Sequence, residues 1–491
     1  MEFKDAAQRV VILEGGGLEF ESDSQALYDV AVAGASYTGA REGRFRVAGG
    51  STTRWGGQAL RLERSDFQVR DWVPNSGWPL EYEAITPYYD RAARFLGVND
   101  GKSDEALLAE FGITPPSFDP GAIKYHLSRW TTTPDLWKRY GTSIRAARNI
   151  TLFLHANVTE AILDNEHARL SHVTALSLHG HRLSVRAQEV VICCGGLETP
   201  RLLLANRQQC SNGLGNDHGV VGRYLQDHAG AVVGTITPRD DAQIQHAFNL
   251  FHRNRIKYSI RCSAAAELQA RERMLNASSS VMFIVDEDSA FAALKTAYRM
   301  VRSRSVSTDL WRLAARVVAD PVTLALPIVS YVFRNRTYTP NARCRLALTV
   351  EQEPNPQSRV MLGRDVDQLG VPRLVVDWRL TDFTWLTVTR FLGILAREFE
   401  AVGVGSLVVD KWIAEKDAWR TKLVDHYHHI GTARMHVSPS KGVVDSECRV
   451  HGIANLSIAS SAVFPTSGHS NPTLTILALS IRIADRLRQL R

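Results

Sequence analysis

A chain of 491 residues with 44% hydrophobic and 22% charged side chains has the composition of a folded enzyme large enough for two intertwined domains. Its formal charge of +7 is small for that length, and the basic residues are not gathered into runs that would track a phosphate backbone, which argues against nucleic acid. The six cysteines form no CxxC pair, no stretch reaches the roughly 18 apolar residues of a spanning helix, and the opening MEFKDAAQRVVILEGGG has no apolar signal region, so a reducing, cytoplasmic setting is expected.

Val10 to Leu13 is a short apolar, β-branched run ending in Glu14 and then Gly15, Gly16 and Gly17, the pattern of a buried parallel strand stopping at a tight turn. In a dinucleotide-binding unit this is the second strand, whose terminal acid accepts hydrogen bonds from the adenosine ribose. A first strand, a GxGxxG turn and a helix belong before it, and MEFKDAAQR suffices only for the end of that helix. The unit is therefore expected to be truncated: either the true start lies upstream, or the chain is a non-catalytic remnant. Gly34-Ala-Ser-Tyr-Thr-Gly39 offers a substitute turn, but it lacks the middle glycine and is followed by too short and polar a segment for a phosphate-carrying helix. It reads as a surface loop.

Next comes Phe45-Arg-Val-Ala-Gly-Gly-Ser-Thr-Thr-Arg-Trp-Gly-Gly57, where Gly49, Gly50, Gly56 and Gly57 let backbone lie against a ligand and Ser51 and Thr52 offer hydroxyls. Gln188 to Cys194 (QEVVICC) is a second buried strand, with Cys193 and Cys194 as small buried residues, closed by Gly195-Gly196. Thr199 as N-cap and Pro200 at the first helical position then open a helix. From about 231 to 424 the pattern changes to period two, at Cys344 to Val350 and Leu374 to Trp378, around a turn-rich Glu353-Pro-Asn-Pro-Gln-Ser and Arg359 to Leu362. That predicts an antiparallel sheet in a second domain inserted into the first. Between Phe291 and Arg336, arginines mixed with apolar residues predict a pair of amphipathic helices on the second domain, with a membrane-surface contact as the alternative.

The last sixty or so residues contain Tyr427-His-His-Ile-Gly-Thr-Ala-Arg-Met435, Gly442-Val-Val-Asp-Ser-Glu-Cys-Arg-Val-His-Gly452 and Ala462-Val-Phe-Pro-Thr-Ser-Gly-His-Ser-Asn-Pro-Thr-Leu-Thr-Ile476. These resemble the glucose-methanol-choline (GMC) oxidoreductases, in which a histidine in a YHxxGT context and a histidine or asparagine at the start of the last helix face the flavin. Matched position by position, these are His428 and Asn471, and the Asn-Pro-Thr form (Asn471, Pro472, Thr473) resembles the sugar-oxidising branch near pyranose oxidases. Oxidising an alcohol needs a base of near-neutral pKa beside an electron acceptor, which suits His428; Asn471 would position the substrate oxygen. Asn471-Pro472 is also a good helix start, a role compatible with the first. His429 and His469 are rival bases, and a metal reading of His426, His428 and His429 is disfavoured by the tight turn that follows and the lack of a nearby acid.

The resemblance extends to the glycine-rich loop that contacts flavin (Gly49, Gly50, Ser51, Thr52, Trp55, Gly56, Gly57), to His155-Ala-Asn-Val158, to Gly195 and Gly196, and to Val221-Gly-Arg-Tyr-Leu-Gln-Asp-His228. Glu14 and Val158 would meet the adenosine end, and Ser460 would stand near the pyrophosphate where relatives carry glycine or aspartate. Arg54 occupies the position of the histidine that binds flavin covalently in some relatives, so the resemblance implies non-covalent FAD. It also implies an α/β fold: a Rossmann-like FAD-binding domain (1–70, 145–230 and 425–491), N-terminally truncated, with an inserted α+β substrate domain built on an antiparallel sheet (71–144 and 231–424). The activity implied is oxidation of a CH-OH group of a sugar or polyol by hydride transfer to flavin, His428 acting as general base and dioxygen, a quinone or a haem partner reoxidising the flavin. No metal is implied. A remnant that binds no flavin, a lyase and a nicotinamide dehydrogenase are the competing readings.

Overall fold

The computed structural model describes residues 1–99, 101–303, 309–415 and 417–490, the side chains of Arg302 and Ser303 excepted. Its largest sheet, nine strands among the described residues, is antiparallel throughout. From one edge the order is Gly405–Val409, Ala229–Pro238, Arg343–Val350, Ala277–Ile284, Ile256–Ala264, Ile123–Trp130 and Gln58–Ala59. The period-two pattern sorts its two faces. Ile256, Tyr258, Ile260, Cys262 and Ala264 enter a core closed by Val388, Phe391 and Leu395 of the helix Asp382–Ala401. The alternate residues turn to the other face, where the register sets Arg261 beside His126, Ser263 beside Lys124 and Ser259 beside Ser128.

The sequence predicts one sheet for Arg359 to Leu362, Leu374 to Trp378 and Cys344 to Val350; there are two. Arg359–Val366 and Pro372–Asp377 form a hairpin that joins Val30–Val32 in a separate three-stranded sheet, the last pair parallel. Val360, Leu374, Val376 and Trp378 fill a small core with Val30, Tyr37 and Leu197, so the hairpin's apolar face is spent on the cofactor half of the chain.

In that half, Val10–Leu13 pairs in parallel with Ile150–Phe153, and Val190–Ile192 with Leu456–Ile458. Among the described residues neither pair gains a third strand. Cys193 and Cys194 follow the unpaired edge of Val190–Ile192 and are exposed, not buried as their apolar context suggests, because no strand covers them. The helix after them also begins earlier than expected, at Gly195, and contains Pro200. Pro200 has no N–H for the carbonyl of Gly196 four residues back, and the Thr432 hydroxyl donates to that oxygen instead at 2.6 Å. Thr199 caps nothing and is buried. The segment Phe291 to Arg336 folds as three helices, Ala290–Ser303, Leu310–Ala319 and Pro321–Arg334, rather than a pair.

Candidate active site

The chain around Asp425 to Thr432 makes an irregular turn organised by two carboxylates. Asp227 accepts from the backbone N–H of His428 (2.9 Å), His426 (3.1 Å) and His228 (2.7 Å), and from the Tyr37 hydroxyl (2.8 Å). Asp425 accepts from the N–H groups of Thr38 and Gly39. The donors at the end of the Gly34 to Gly39 segment thus serve Asp425, and the short helix Gly39–Glu42 follows, in keeping with its reading as a loop and not a phosphate turn. Gly431 is required here: at φ 86 a Cβ would lie 2.4 Å from the Tyr224 carbonyl oxygen.

The turn holds His428 half-buried, and the hydrogen bonds fix its tautomer. His228 Nε2 lies 3.3 Å from the Ser467 carbonyl, which only accepts, so Nε2 carries the His228 proton. A neutral His228 then presents a lone pair at Nδ1, 2.7 Å from His428 Nδ1. His428 therefore donates through Nδ1–H, and its Nε2 is left as an acceptor, towards which the Asn471 amide N–H donates. Asn471 Nδ2 stands 3.4 Å from that Nε2. Burial holds His228 down to about 4, which keeps it neutral and an acceptor. His428 is held well below its ordinary value by burial, then by the neighbouring His228, His426, His429 and Arg261. This corrects the expectation of a near-neutral pKa: no carboxylate touches the ring to stabilise its cation, and the resting base is a neutral imidazole.

The rival histidines are engaged elsewhere. His429 is buried against Tyr37, ring centroids 5.7 Å apart, and burial pushes it down to about 3. His469 is buried with Nδ1 3.1 Å from Asn276 Oδ1, whose own amide nitrogen donates to Asp66. His426, His428 and His429 do not converge on a point. Among the described residues, Glu63, His126 and His469 are the group whose ligand atoms do, and Glu63 already pairs with Lys124.

The residues proposed to face a cofactor divide. Gly50, Gly56 and Gly195 look onto open space, with nothing within 4 Å of a Cβ built on them, so their backbone is open to a ligand, as it is at turn glycines such as Gly112 and Gly180. Gly49 and Gly57, at φ of 94° and 78°, pack instead against protein, a Cβ there lying 2.9 Å from Trp137 and 3.1 Å from Thr131, and Trp55 is anchored by its indole N–H on the Pro134 carbonyl at 2.9 Å. Glu14, its pKa raised by burial, accepts from Gly16 N–H at the strand end beside Arg46, whose Nε has no partner. Val158 lies at a bulge in Asn157–Leu163. FAD fits this set: a terminal acid for ribose, open glycine backbone for the ring, and beside them the Arg46 cation, which here donates to Asn157 and lies over the Tyr28 ring.

Other members of the set serve the fold. A Cβ on Gly196 would meet the His429 carbonyl oxygen at 2.0 Å, so this glycine permits close packing of helix on turn. The Ser51 hydroxyl donates to the Gly43 carbonyl, Thr52 Oγ1 accepts from Leu136 N–H, and Ser460 Oγ accepts from Ala462 N–H. Asn471 does not cap the last helix, which runs Thr473–Gln489 with the Pro472 carbonyl accepting from Ile476; its side chain turns to His428.

Sequence reasoning missed His228, Asp227, Tyr37 and the sheet face above the site. His228 and Asp227 were visible only as a family element, and nothing local reveals that they meet residues two hundred positions away. On the sheet, Arg261 acts by charge on His428, His426 and His469. His126 and His469 rings lie 5.1 Å apart. Arg261 Nε, His126 Nε2 and Ser278 Oγ have no partner, so this face offers unspent polar groups.

Two family models described as GMC oxidoreductase match residues 142–230 and 354–480. Paromamine 6'-oxidase of Streptomyces fradiae is 24% identical over 89% of this chain and 77% of its own length. The fructose dehydrogenase large subunit of Gluconobacter japonicus is 23% identical over 93% and 83%. Among solved structures, pyridoxine 4-oxidase from Mesorbium loti superposes with a TM-score of 0.54 at 16% identity, covering 99% of this chain and 95% of that one. A fungal aryl-alcohol oxidase gives 0.56 at 17%, covering 98% and 95%.

Proposed function

For a chain that belongs to the GMC oxidoreductases, we propose FAD-dependent oxidation of an alcohol group of a sugar or polyol, with His428 as the base and Asn471 as the group that positions the substrate oxygen. The observation that carries the proposal is the unprotonated Nε2 of His428, its proton committed to Nδ1 by His228 and its lone pair accepting a long 3.4 Å bond from the Asn471 amide N–H that a substrate hydroxyl would replace. A substrate hydroxyl set between Nε2 and that amide loses its proton to Nε2 as the C–H bond breaks. FAD, when bound, supplies the two-electron acceptor for the hydride. Glu14, Arg46 and the glycines 50, 56 and 195 would hold it non-covalently; Arg54, stacked over Phe20 and Phe45, offers no nucleophilic nitrogen for a covalent link.

The unspent polar groups on the sheet face favour a substrate with several hydroxyls over a simple apolar alcohol. Activity on sugars or on related alcohols by paromamine 6'-oxidase, fructose dehydrogenase and 2-methyl-1,2-propanediol dehydrogenase, by their names, is consistent with this.

The test is a visible spectrum of the purified chain with FAD, followed anaerobically through a panel of sugars and polyols. Flavin bands bleached by a polyhydroxylated substrate are expected; a chain that stays colourless with added FAD defeats the proposal. In a chain that does bleach, His428→Ala should lose about 2 to 5 kcal/mol of transition-state stabilisation with flavin content unchanged. Equal bleaching rates would remove His428 from the chemistry.

A further inference from the structure

The helical segment on the substrate domain is built inside out for a water-exposed element. Pro321–Arg334 turns Leu324, Pro327 and Ser330 inward, while Val322, Ile328, Val329, Tyr331 and Phe333 face outward, Val322 at 83% and Phe333 at 78% exposure. The preceding helix Leu310–Ala319 buries no residue and exposes Trp311 at 65%. Exposed apolar residues scattered singly are ordinary, but a contiguous set on two consecutive helices marks a surface that meets another apolar phase.

Charge identifies the phase. In residues 290–336 eight Lys and Arg side chains stand against Asp309 and Asp320, giving this segment a formal +6 in a chain of +7. Three acids, Asp286, Glu287 and Asp288, lie just before this segment and Arg336 within it is buried, so the described cations that face outward are Lys295, Arg299, Arg312, Arg316 and Arg334. Arg299, Arg312, Arg316 and Arg334 are exposed beside the outward apolar residues. Cations flanking exposed Trp, Tyr, Phe and Val form the arrangement that lies in the headgroup layer of an anionic bilayer, apolar faces in the acyl boundary and guanidinium groups on lipid phosphates.

Dimensions separate lying on a membrane from crossing it. Among the described residues no single helix is long and apolar enough to cross, and the two apolar helices meet at a 96° bend. Fourteen residues of helix span about 21 Å, short of the roughly 30 Å hydrocarbon core. The segment is fixed to its domain: the Tyr331 ring packs 5.4 Å from His252, Arg336 bridges to Phe251, and Phe291 and Leu324 form a small core. These contacts anchor the helices to the substrate domain as a foot.

We propose that this three-helix foot docks the enzyme on the surface of an anionic lipid bilayer. The test is co-sedimentation of the full chain with phosphatidylcholine vesicles and with phosphatidylcholine vesicles containing phosphatidylglycerol, at low and at 0.5 M salt. Pelleting with the anionic vesicles, several-fold weaker with neutral ones or at high salt, is expected. Arg312→Glu with Arg316→Glu should abolish the preference for anionic lipid, and Val322→Asp with Phe333→Asp should abolish binding. These exposed changes leave the melting temperature and flavin content at parental values, which excludes unfolding as the cause. Failure of the parent chain to pellet with anionic vesicles overturns the proposal. So does a concentration-dependent dimer that Val322→Asp with Phe333→Asp dissolves, which would assign the face to a second copy of the chain.

Discussion

The turn carrying His428 and the strands expected to cradle a cofactor are built to opposite standards of closure. Around His428 the backbone donors end on Asp227 or Asp425, Tyr37 closes one side, and the imidazole's own proton is assigned through His228. At the cofactor-facing end, Val10–Leu13 and Val190–Ile192 each keep an unpaired edge among the described residues, and Cys193 and Cys194 are open to solvent. The two regions meet where Gly196, just past the second strand, packs against the His429 carbonyl. Chemistry that depends on one proton at one nitrogen needs a preorganised, fully paired surround. A surface that receives a large planar ligand is left with bare backbone and free edges.

The closed region should be the more costly to break. Arg70 makes a two-pronged ion pair with Glu351 at 2.7 and 2.8 Å, both buried, and Glu351 also accepts from Asn276 N–H, tying the sheet to the site loops. Arg70→Met would strand a buried carboxylate, and urea unfolding should show a loss of about 3 to 5 kcal/mol. A loss below 1 kcal/mol would mean that solvent reaches Glu351.

Next in size is the tautomer. His228→Phe removes the acceptor for His428 Nδ1–H, so kcat should fall about 10- to 100-fold, or roughly 1.4 to 2.8 kcal/mol, with KM little changed. His228→Asn, which keeps an acceptor oxygen, should recover part of it. Parental kcat in His228→Phe would break the link between this hydrogen bond and the chemistry.

Acid should loosen the same region. Burial holds His228 and His426 down to about 4, and His126 and His429 down to about 3, from an ordinary 6.5. It pushes Asp66 and Asp227 up to about 7 from 3.8. Between pH about 6.5 and 4 the unfolded chain binds protons on four imidazoles that the native chain refuses, while the native chain retains protons on two carboxyls. The balance favours proton uptake on unfolding, so stability falls as pH drops through this window, by about 1.4 kcal/mol per pH unit for each net proton. Thermal melts from pH 7 to pH 5 should show a falling midpoint; a rising one would mean that the carboxyls outweigh the imidazoles.

The smallest effects belong to the open region. Burial of their surroundings pushes the Cys193 and Cys194 thiols up to about 11 and 12, so labelling by a maleimide should be slow at neutral pH, but their exposed side chains should still react before the buried Cys262, Cys344 and Cys448, with little change in melting temperature. Saturating FAD should slow that labelling if the flavin lies along Gly195; unchanged rates would place the ring elsewhere.

Much of this was legible in sequence because it is local. The strands Val10–Leu13 and Val190–Ile192, the alternation of Arg343–Val350, the glycines of the 49–57 loop and the His428 and Asn471 motifs are set by near neighbours and by residue chemistry. The packing roles of Gly196 and Ser51 were not, because a glycine that admits a ligand and one that admits a neighbouring carbonyl are the same letter. The helix start at Gly195 was missed for a related reason: Thr199-Pro200 is a sound start signal, and only Thr432, more than two hundred residues away, supplies the hydroxyl that lets the proline sit inside the helix.

By itself the sequence determined the α/β character of the chain and its GMC resemblance, and through that resemblance pointed to His428 as the candidate base, since strand periodicity and short motifs are properties of consecutive residues. Only the tertiary structure decided which nitrogen of His428 is unprotonated, which face of the sheet looks onto it, and that Arg299, Arg312, Arg316 and Arg334 stand exposed beside outward apolar residues. Those outcomes depend on hydrogen bonds and burial between segments distant in sequence, where a proton's position is set by the partner that folding brings to it.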